Sequence, residues 1–367
     1  MTGRAATSRG DVVRHRIHVH ELARTGAHTD AAVLDLGVQD TGPDGAGWAL
    51  ELRGAQVPAD DLVLAWTLRG APHLYRRAEV AQVAAATSPW SDADAAKRIF
   101  DAARPLKAAG IGVLDALDHL AEVMRELAAQ PVTKGELSAE LTRRLEEPYL
   151  RHCRACDAVH AYEQPFRLAA LRAGLELEPR TSPPVLRRIP GWRGPAARFA
   201  DRLDPVRAAL HLLGPTTPKL VADFVDAPVK EVRARWPDDV VDVAVDGETE
   251  GEVRQVLADD VDGLADPPAH EGVLLLGPFD LFLQARDRDL LVPDDAARKD
   301  LWRTLGRPGA VLADGELVGS WRPRSKGGRL GVAYRGWSRA EPPAGLAEQA
   351  ERLAAWRGQA FSGFVEE

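Results

Sequence analysis

Cysteine is nearly missing from this chain: two residues in 367. Two thiols cannot staple a fold of this size, so its stability must come from packing, and a reducing, cytoplasmic setting is expected. No apolar run approaches the roughly 18 residues that a membrane span needs. The opening MTGRAATSRGDVVRHR is basic but has no apolar stretch behind it, which argues against a secretory leader. The sequence has no Walker phosphate loop, no GxGxxG following a strand, no HExxH and no nucleophile elbow. These absences argue against the common nucleotide, dinucleotide, zinc-peptidase and serine-hydrolase chemistries, and no cofactor is expected. No dimerising heptad is visible either, so a monomer is expected.

What is present is a globular composition, 45% hydrophobic and 28% charged, with 26 prolines and 32 glycines. The length suits two or three domains. The formal net charge of −8 argues against coating nucleic acid through bulk charge. That sum hides a segregation. Residues 238–268 carry eleven acids and one base, Arg254. Residues 179–200 carry Arg180, Arg187, Arg188, Arg193 and Arg198 without an acid. Residues 317–340 carry Arg322, Arg324, Lys326, Arg329, Arg335 and Arg339, again without one. Such tracts are either solvated loops or a surface that follows phosphates, where each contact releases counterions.

Residues 204–247 give the clearest local pattern. Asp204-Pro205 opens a helix carrying Val206, Ala209, Leu210 and Leu213, and Gly214 closes it. Thr217-Pro218 opens a second, Pro228 forces a break, and Val229, Val232 and Trp236 mark a third. The alternating segment from Val240 to Val245 then reads as a strand ending at Asp246-Gly247. Three helices followed by strands spell a winged helix around a helix-turn-helix. The same order recurs at 112–189: a helix over 112–129, a Thr133/Glu136 capping box, a helix near 164–173, and a hairpin of 175–178 with 185–189. A third candidate has helices at 11–24 and 29–36, then strands at 62–68 and 73–77 joined by Arg69-Gly70. From 273 onward a β-meander is expected, with an Asp314-Gly315 turn, a Gly327-Gly328 turn and a closing helix at 343–357. The reading is an α+β fold in four parts: winged-helix-like units at 1–100, 101–200 and 201–270, and a β-rich segment at 271–367.

Few residues suggest chemistry. Cys153-Arg154-Ala155-Cys156, with His152 and His160, is a lone CxxC and reads as paired buried thiols rather than zinc ligands. His18 and His20 sit on an expected helix and serve packing or surface roles. Trp66, Trp192, Trp321 and Trp337 adjoin arginines and are candidates for stacking on bases. The segment from Leu36 to Gly42 ends an expected helix and sets the amide of Gln39, the carboxylate of Asp40 and the hydroxyl of Thr41 side by side. That is either a group that orients water or an ordinary helix stop.

Four stretches together resemble the winged-helix DNA glycosylase family, the AlkZ/YcaQ-like proteins. They are Leu36-Gly37-Val38-Gln39-Asp40, the run from Trp66 to Leu74, Gly277-Pro278-Phe279-Asp280, and the run from Val311 to Arg322. The second follows the family's W-x-x-R-G-T-x-H pattern with Ala71 for Thr. The third follows P-P-F-D with Gly277 for the first Pro. The family's catalytic element is Gln–apolar–Gln or Gln–apolar–Asp after Leu; here Gly37 stands at the first Gln and Gln39 at the third position. The resemblance implies a fold of tandem winged helices that grip double-stranded DNA, and hydrolysis of the N-glycosidic bond of an alkylated, cationic base. Gln39 would position the water and Asp40 would be its base or electrostatic partner. No lysine adjoins the motif, so a monofunctional glycosylase is implied. Arg69, His73, Arg187, Arg188, Arg322, Arg324 and Lys326 would contact DNA. The alternative is a non-catalytic DNA-binding protein or transcriptional regulator with a degenerate motif.

Overall fold

The computed structural model describes residues 5–42, 44–154, 157–246 and 253–366. Within the helix Val113–Leu127, Val113, Ala116, Leu117, Leu120 and Met124 fall every three or four residues and are buried, while Asp115, Asp118, Glu122 and Glu126 face water. Its apolar stripe packs on the helix Glu163–Arg172. Burial of each such leucine is worth about 2 kcal/mol. The helix Lys134–Arg144 starts where the sequence says it should: Thr133 Oγ1 accepts from the Glu136 N–H, and the Glu136 carboxylate accepts from the Thr133 N–H. The strand Val132–Thr133 pairs with Val185–Arg188, which pairs in turn with Leu175–Leu177.

That strand order repeats. Val38–Gln39 pairs with Pro72–Arg76, which pairs with Leu62–Trp66. Thr216 bridges to Gln255 in the strand Arg254–Leu257, which pairs with Val240–Val245. In the first two sheets the last strand in sequence lies in the middle, and in the third Arg254–Leu257 lies between the Thr216 bridge and Val240–Val245. The third group holds the helices Pro205–Leu213, Pro218–Val225 and Val229–Arg233. Asp204 caps the first through the Val206 N–H, Thr217 caps the second, and Asp226 ends it in the left-handed region (φ 60°).

Several expectations change. The helix expected over 11–24 is Arg9–Val19, because Glu21 turns to φ 57° just beyond it. The helix expected over 29–36 is a single 3₁₀ turn, Ala32–Asp35. The N-terminal strand Ala5–Thr7 runs parallel to Val240–Val245, so the chain's start joins the third group. Val12, Val13 and Ile17 share one core with Val206, Leu210 and Leu275. One hydrophobic cluster joins residues of 1–100 with residues of 201–367, and two others join residues of 1–100 with residues of 101–200. Gly247 lies outside the described residues.

The C-terminal sheet orders Val273–Leu276, Gly309–Ala313, Glu316–Lys326, Arg329–Gly336 and Ala360–Val365. Asp314 (φ 47°) and Gly315 (φ 84°) make the tight turn, both in the left-handed region that a two-residue hairpin needs. The helix Leu346–Trp356 covers the sheet. The last strand pairs parallel to Arg329–Gly336 and was not anticipated. Buried ion pairs tie the parts together: Arg53 grips Asp280 with two bonds (2.8 and 2.9 Å), and Arg16 and Arg254 share Asp287.

Candidate functional site

Gln39 is not at a helix end. Leu36 leaves the 3₁₀ turn, Gly37 at φ 87° cannot continue it, and Val38–Gln39 runs extended with Gln39 opposite His73. The helical reading of this segment is thereby corrected. Adjacent side chains in extended backbone diverge, and Gln39 and Asp40 do. Gln39 is buried; its Nε2 donates to Thr41 Oγ1 (3.0 Å) and its Oε1 accepts from Arg69 Nη2 (3.3 Å). Asp40 Oδ1 instead accepts from the Ala46 N–H (2.9 Å) at the start of the helix Gly45–Leu52. Asp40 is a cap for that helix, and its expected role as base to a Gln39-bound water is not supported by this geometry.

Arg69 occupies a tight turn at φ 58° and faces inward. Its Nη1 donates to the Phe224 carbonyl (2.7 Å), its Nη2 to Gln284 Oε1 (2.5 Å), and its guanidinium stands 4.8 Å from the centre of the Phe224 ring. Among the described residues no carboxylate pairs with it. Burial, then Arg286, pulls its pKa down to about 10. His73 is 2% exposed and its Nδ1 lies 2.9 Å from the Ala71 carbonyl, so it is a core residue and not a DNA contact. Burial, then Arg69, drops its pKa to about 3, which keeps it neutral.

Where the first glutamine of the family's motif would stand, Gly37 leaves room for Tyr75. A Cβ on Gly37 would meet Cζ of Tyr75 at 2.4 Å. The Tyr75 hydroxyl bonds to Thr67 Oγ1 (2.8 Å) and donates to the Leu36 carbonyl (3.4 Å).

A cleft of about 380 Å³ opens beside Gln39, lined by Thr41, Phe279, Arg307, Trp321 and Arg322 among others. Gln284, which holds Arg69, donates to the Phe279 carbonyl (2.8 Å), and Arg307 stands over the Phe279 ring at 5.2 Å. The motif Gly277-Pro278-Phe279-Asp280 thus divides its work. Phe279 lines the cleft, and Asp280 is buried on Arg53. Burial would raise the Asp280 carboxyl, but the Arg53 guanidinium holds it below the usual carboxylate range.

The remaining expected contacts separate. Arg322 is half-buried in the cleft wall and donates to the Gly306 carbonyl. Arg324 and Lys326 are exposed at the tip of the long hairpin with Arg329. Arg188 is exposed and donates to the Arg125 carbonyl. Arg187 is engaged with Glu176 (3.0 Å), a carboxylate buried at 2% exposure, so it is structural here. Trp66 is a core residue, and Trp321 is buried in the wall of the cleft. Cys153 lies on the strand Leu150–Cys153 and Cys156 lies outside the described residues. Among the described residues no group of three or more His, Cys, Asp or Glu could hold a metal ion, and no helix is long and apolar enough to cross a membrane. Gln284, Tyr75 and Arg307 escaped the sequence reading because only the fold brings them to Arg69, to Gly37 and to the cleft.

A family model described as DNA glycosylase AlkZ-like matches residues 36–356. Among solved structures, the fold is similar to the Streptomyces sahachiroi DNA glycosylase AlkZ, with a TM-score of 0.71 and 21% identity over 100% of both chains. No curated protein matches the chain. The run from Leu36 to Trp356 that the family model covers contains all four stretches singled out above, and the chain belongs to the AlkZ-like DNA glycosylase family.

Proposed function

We propose that this protein binds double-stranded DNA through tandem winged-helix units and hydrolyses the N-glycosidic bond of an alkylated base, as a repair enzyme acting as a monomer. The observation that carries the reading is the Gln39 amide, fixed at both ends by Arg69 and by Thr41, which lines an open cleft. A carbonyl oxygen has two lone pairs, so Oε1 can accept from Arg69 and from one water. That water adds its oxygen to the anomeric carbon as the C–N bond breaks. The bond's electron pair leaves with the base, which turns from cation to neutral, and a water proton passes to solvent. A leaving group this good needs no strong acid, and the enzyme's task is to place water against an oxocarbenium-like centre. Exposed Arg188, Arg324 and Lys326 supply phosphate contacts on either side.

The rival is a non-catalytic lesion binder or transcriptional regulator on the same surface. Tyr75 favours it, since it fills the place that a second catalytic glutamine would need. Incubation with a duplex containing N7-methylguanine, scoring abasic sites and gel retardation together, separates the two. The proposed enzyme yields abasic sites; retardation without them supports the binder, and neither result leaves no role in DNA.

A further inference from the structure

Three more arginines cluster with the inward-facing Arg69, and among the described residues none of them touches a carboxylate. Arg286, Arg288 and Arg307 form no ion pair with a carboxylate among the described residues, nor does Arg69. Each is half-buried. Arg307 and Arg288 rest on the rings of Phe279 and Trp302, each at 5.2 Å, and Nε of Arg286 is buried with no acceptor. Burial lowers all four, and the charge of Arg286 adds to the lowering of Arg69, Arg288 and Arg307. The nearby carboxylates Asp223 and Asp226 attract Arg286 from a distance, and their ion-pair contacts are with lysines, Lys219 at 3.1 Å and Lys97 at 4.0 Å.

Four like charges held partly out of water are costly unless an anion joins them. The proposed reaction sharpens the point. A cationic base and an oxocarbenium-like centre would be repelled by this cluster, so something negative must come between them during turnover. Guanidinium forks match the paired oxygens of carboxylates and phosphates, and on DNA the anion within reach is the phosphodiester.

We propose that Arg286, Arg288 and Arg307, with Arg69, form a phosphate subsite that seats the phosphodiester flanking the nucleotide held against Gln39. The proposal rests on the DNA reading above. Arg69 links the two functions: one nitrogen, Nη2, serves both Gln284 and the Gln39 amide. Occupying the subsite therefore fixes the amide that holds the water.

The test uses Arg286→Gln and, in case that variant folds poorly, Arg307→Gln. Two quantities are read: duplex affinity against salt concentration, and the melting temperature in inorganic phosphate against chloride at equal ionic strength. Each lost phosphate contact lowers the slope of log affinity against log salt by about 1. The expected result is that shallower slope for either variant, a phosphate-specific rise in Tm for the wild type, and its loss in the variants. Unchanged slopes overturn the proposal, and if the phosphate effect persists in the wild type alone, the site is one for free phosphate. A wild type that binds no duplex overturns the DNA reading itself, while the phosphate arm still decides the subsite.

Discussion

Tyr75 stands where a side chain on Gly37 would have to go, its ring 2.4 Å from the position of a Gly37 Cβ. The glycine and the tyrosine are one feature. The left-handed φ of 87° at Gly37 and the buried ring that covers it each require the other.

Restoring a glutamine at 37 therefore will not restore a catalytic pair. Gly37→Ala is expected to cost about 2 kcal/mol or more, from the clash and the positive φ together. The combined Gly37→Ala, Tyr75→Ala change should fall short of the sum of the single costs by about 1 kcal/mol, because the clash is then gone. Urea unfolding of the four proteins measures this, and strict additivity contradicts it.

Asp40 separates two roles. As a cap for the Ala46 N–H, it should tolerate Asn and not Ala, with Asp40→Ala losing about 1 kcal/mol of stability. Base release by Asp40→Asn should stay close to wild type. A drop of a hundredfold or more with unchanged stability would return Asp40 to the chemistry.

Acid should unfold the protein early, through histidines. His20 is driven down to about 3 by burial and then by Arg53, and His73 to about 3 by burial and then by Arg69. An unfolded histidine titrates near 6.5, so between these values the unfolded chain binds the extra proton. Stability is thus full above pH of about 6.5 and falls as the pH drops, by about 2 kcal/mol for each histidine at pH 5. Melting temperatures from pH 7 to 5 should decline steeply for the wild type and less for His73→Asn. A flat wild-type profile contradicts the assignment.

The Arg53–Asp280 pair joins the first helices to the wall of the cleft. Removing one partner leaves a buried charge, and Asp280→Asn should cost about 3 kcal/mol. Because Phe279 precedes Asp280, duplex binding should weaken as well. Thermal melting and fluorescence anisotropy check the two effects.

Much of the architecture was legible because local chemistry dictates it. The Thr133/Glu136 box, the Asp204-Pro205 helix start and the Asp314-Gly315 turn each need only neighbouring residues, and each is found in place. Where partners are distant, the reading failed. Leu36 to Gln39 follows an expected helix and reads as its end, yet pairing with His73 and Leu74 makes Val38–Gln39 a strand. Arg69 reads as a side chain on an open turn, yet Phe224 and Gln284, 155 and 215 residues away, draw it inward beside Arg286. The parallel pairing of Ala5–Thr7 with Val243 to Val245 left no local trace for the same reason. The arginine cluster joins a turn at 69 to positions 286, 288 and 307, and no spacing rule connects them.

The central claim is that one amide, Gln39, holds the attacking water. The most direct measurement compares wild type and Gln39→Ala on a duplex carrying N7-methylguanine, following base release in single turnover and duplex affinity in parallel. The account predicts base release reduced by about a thousandfold, a loss of about 4 kcal/mol of transition-state stabilisation, with affinity within about twofold. Equal release by the two proteins would contradict it.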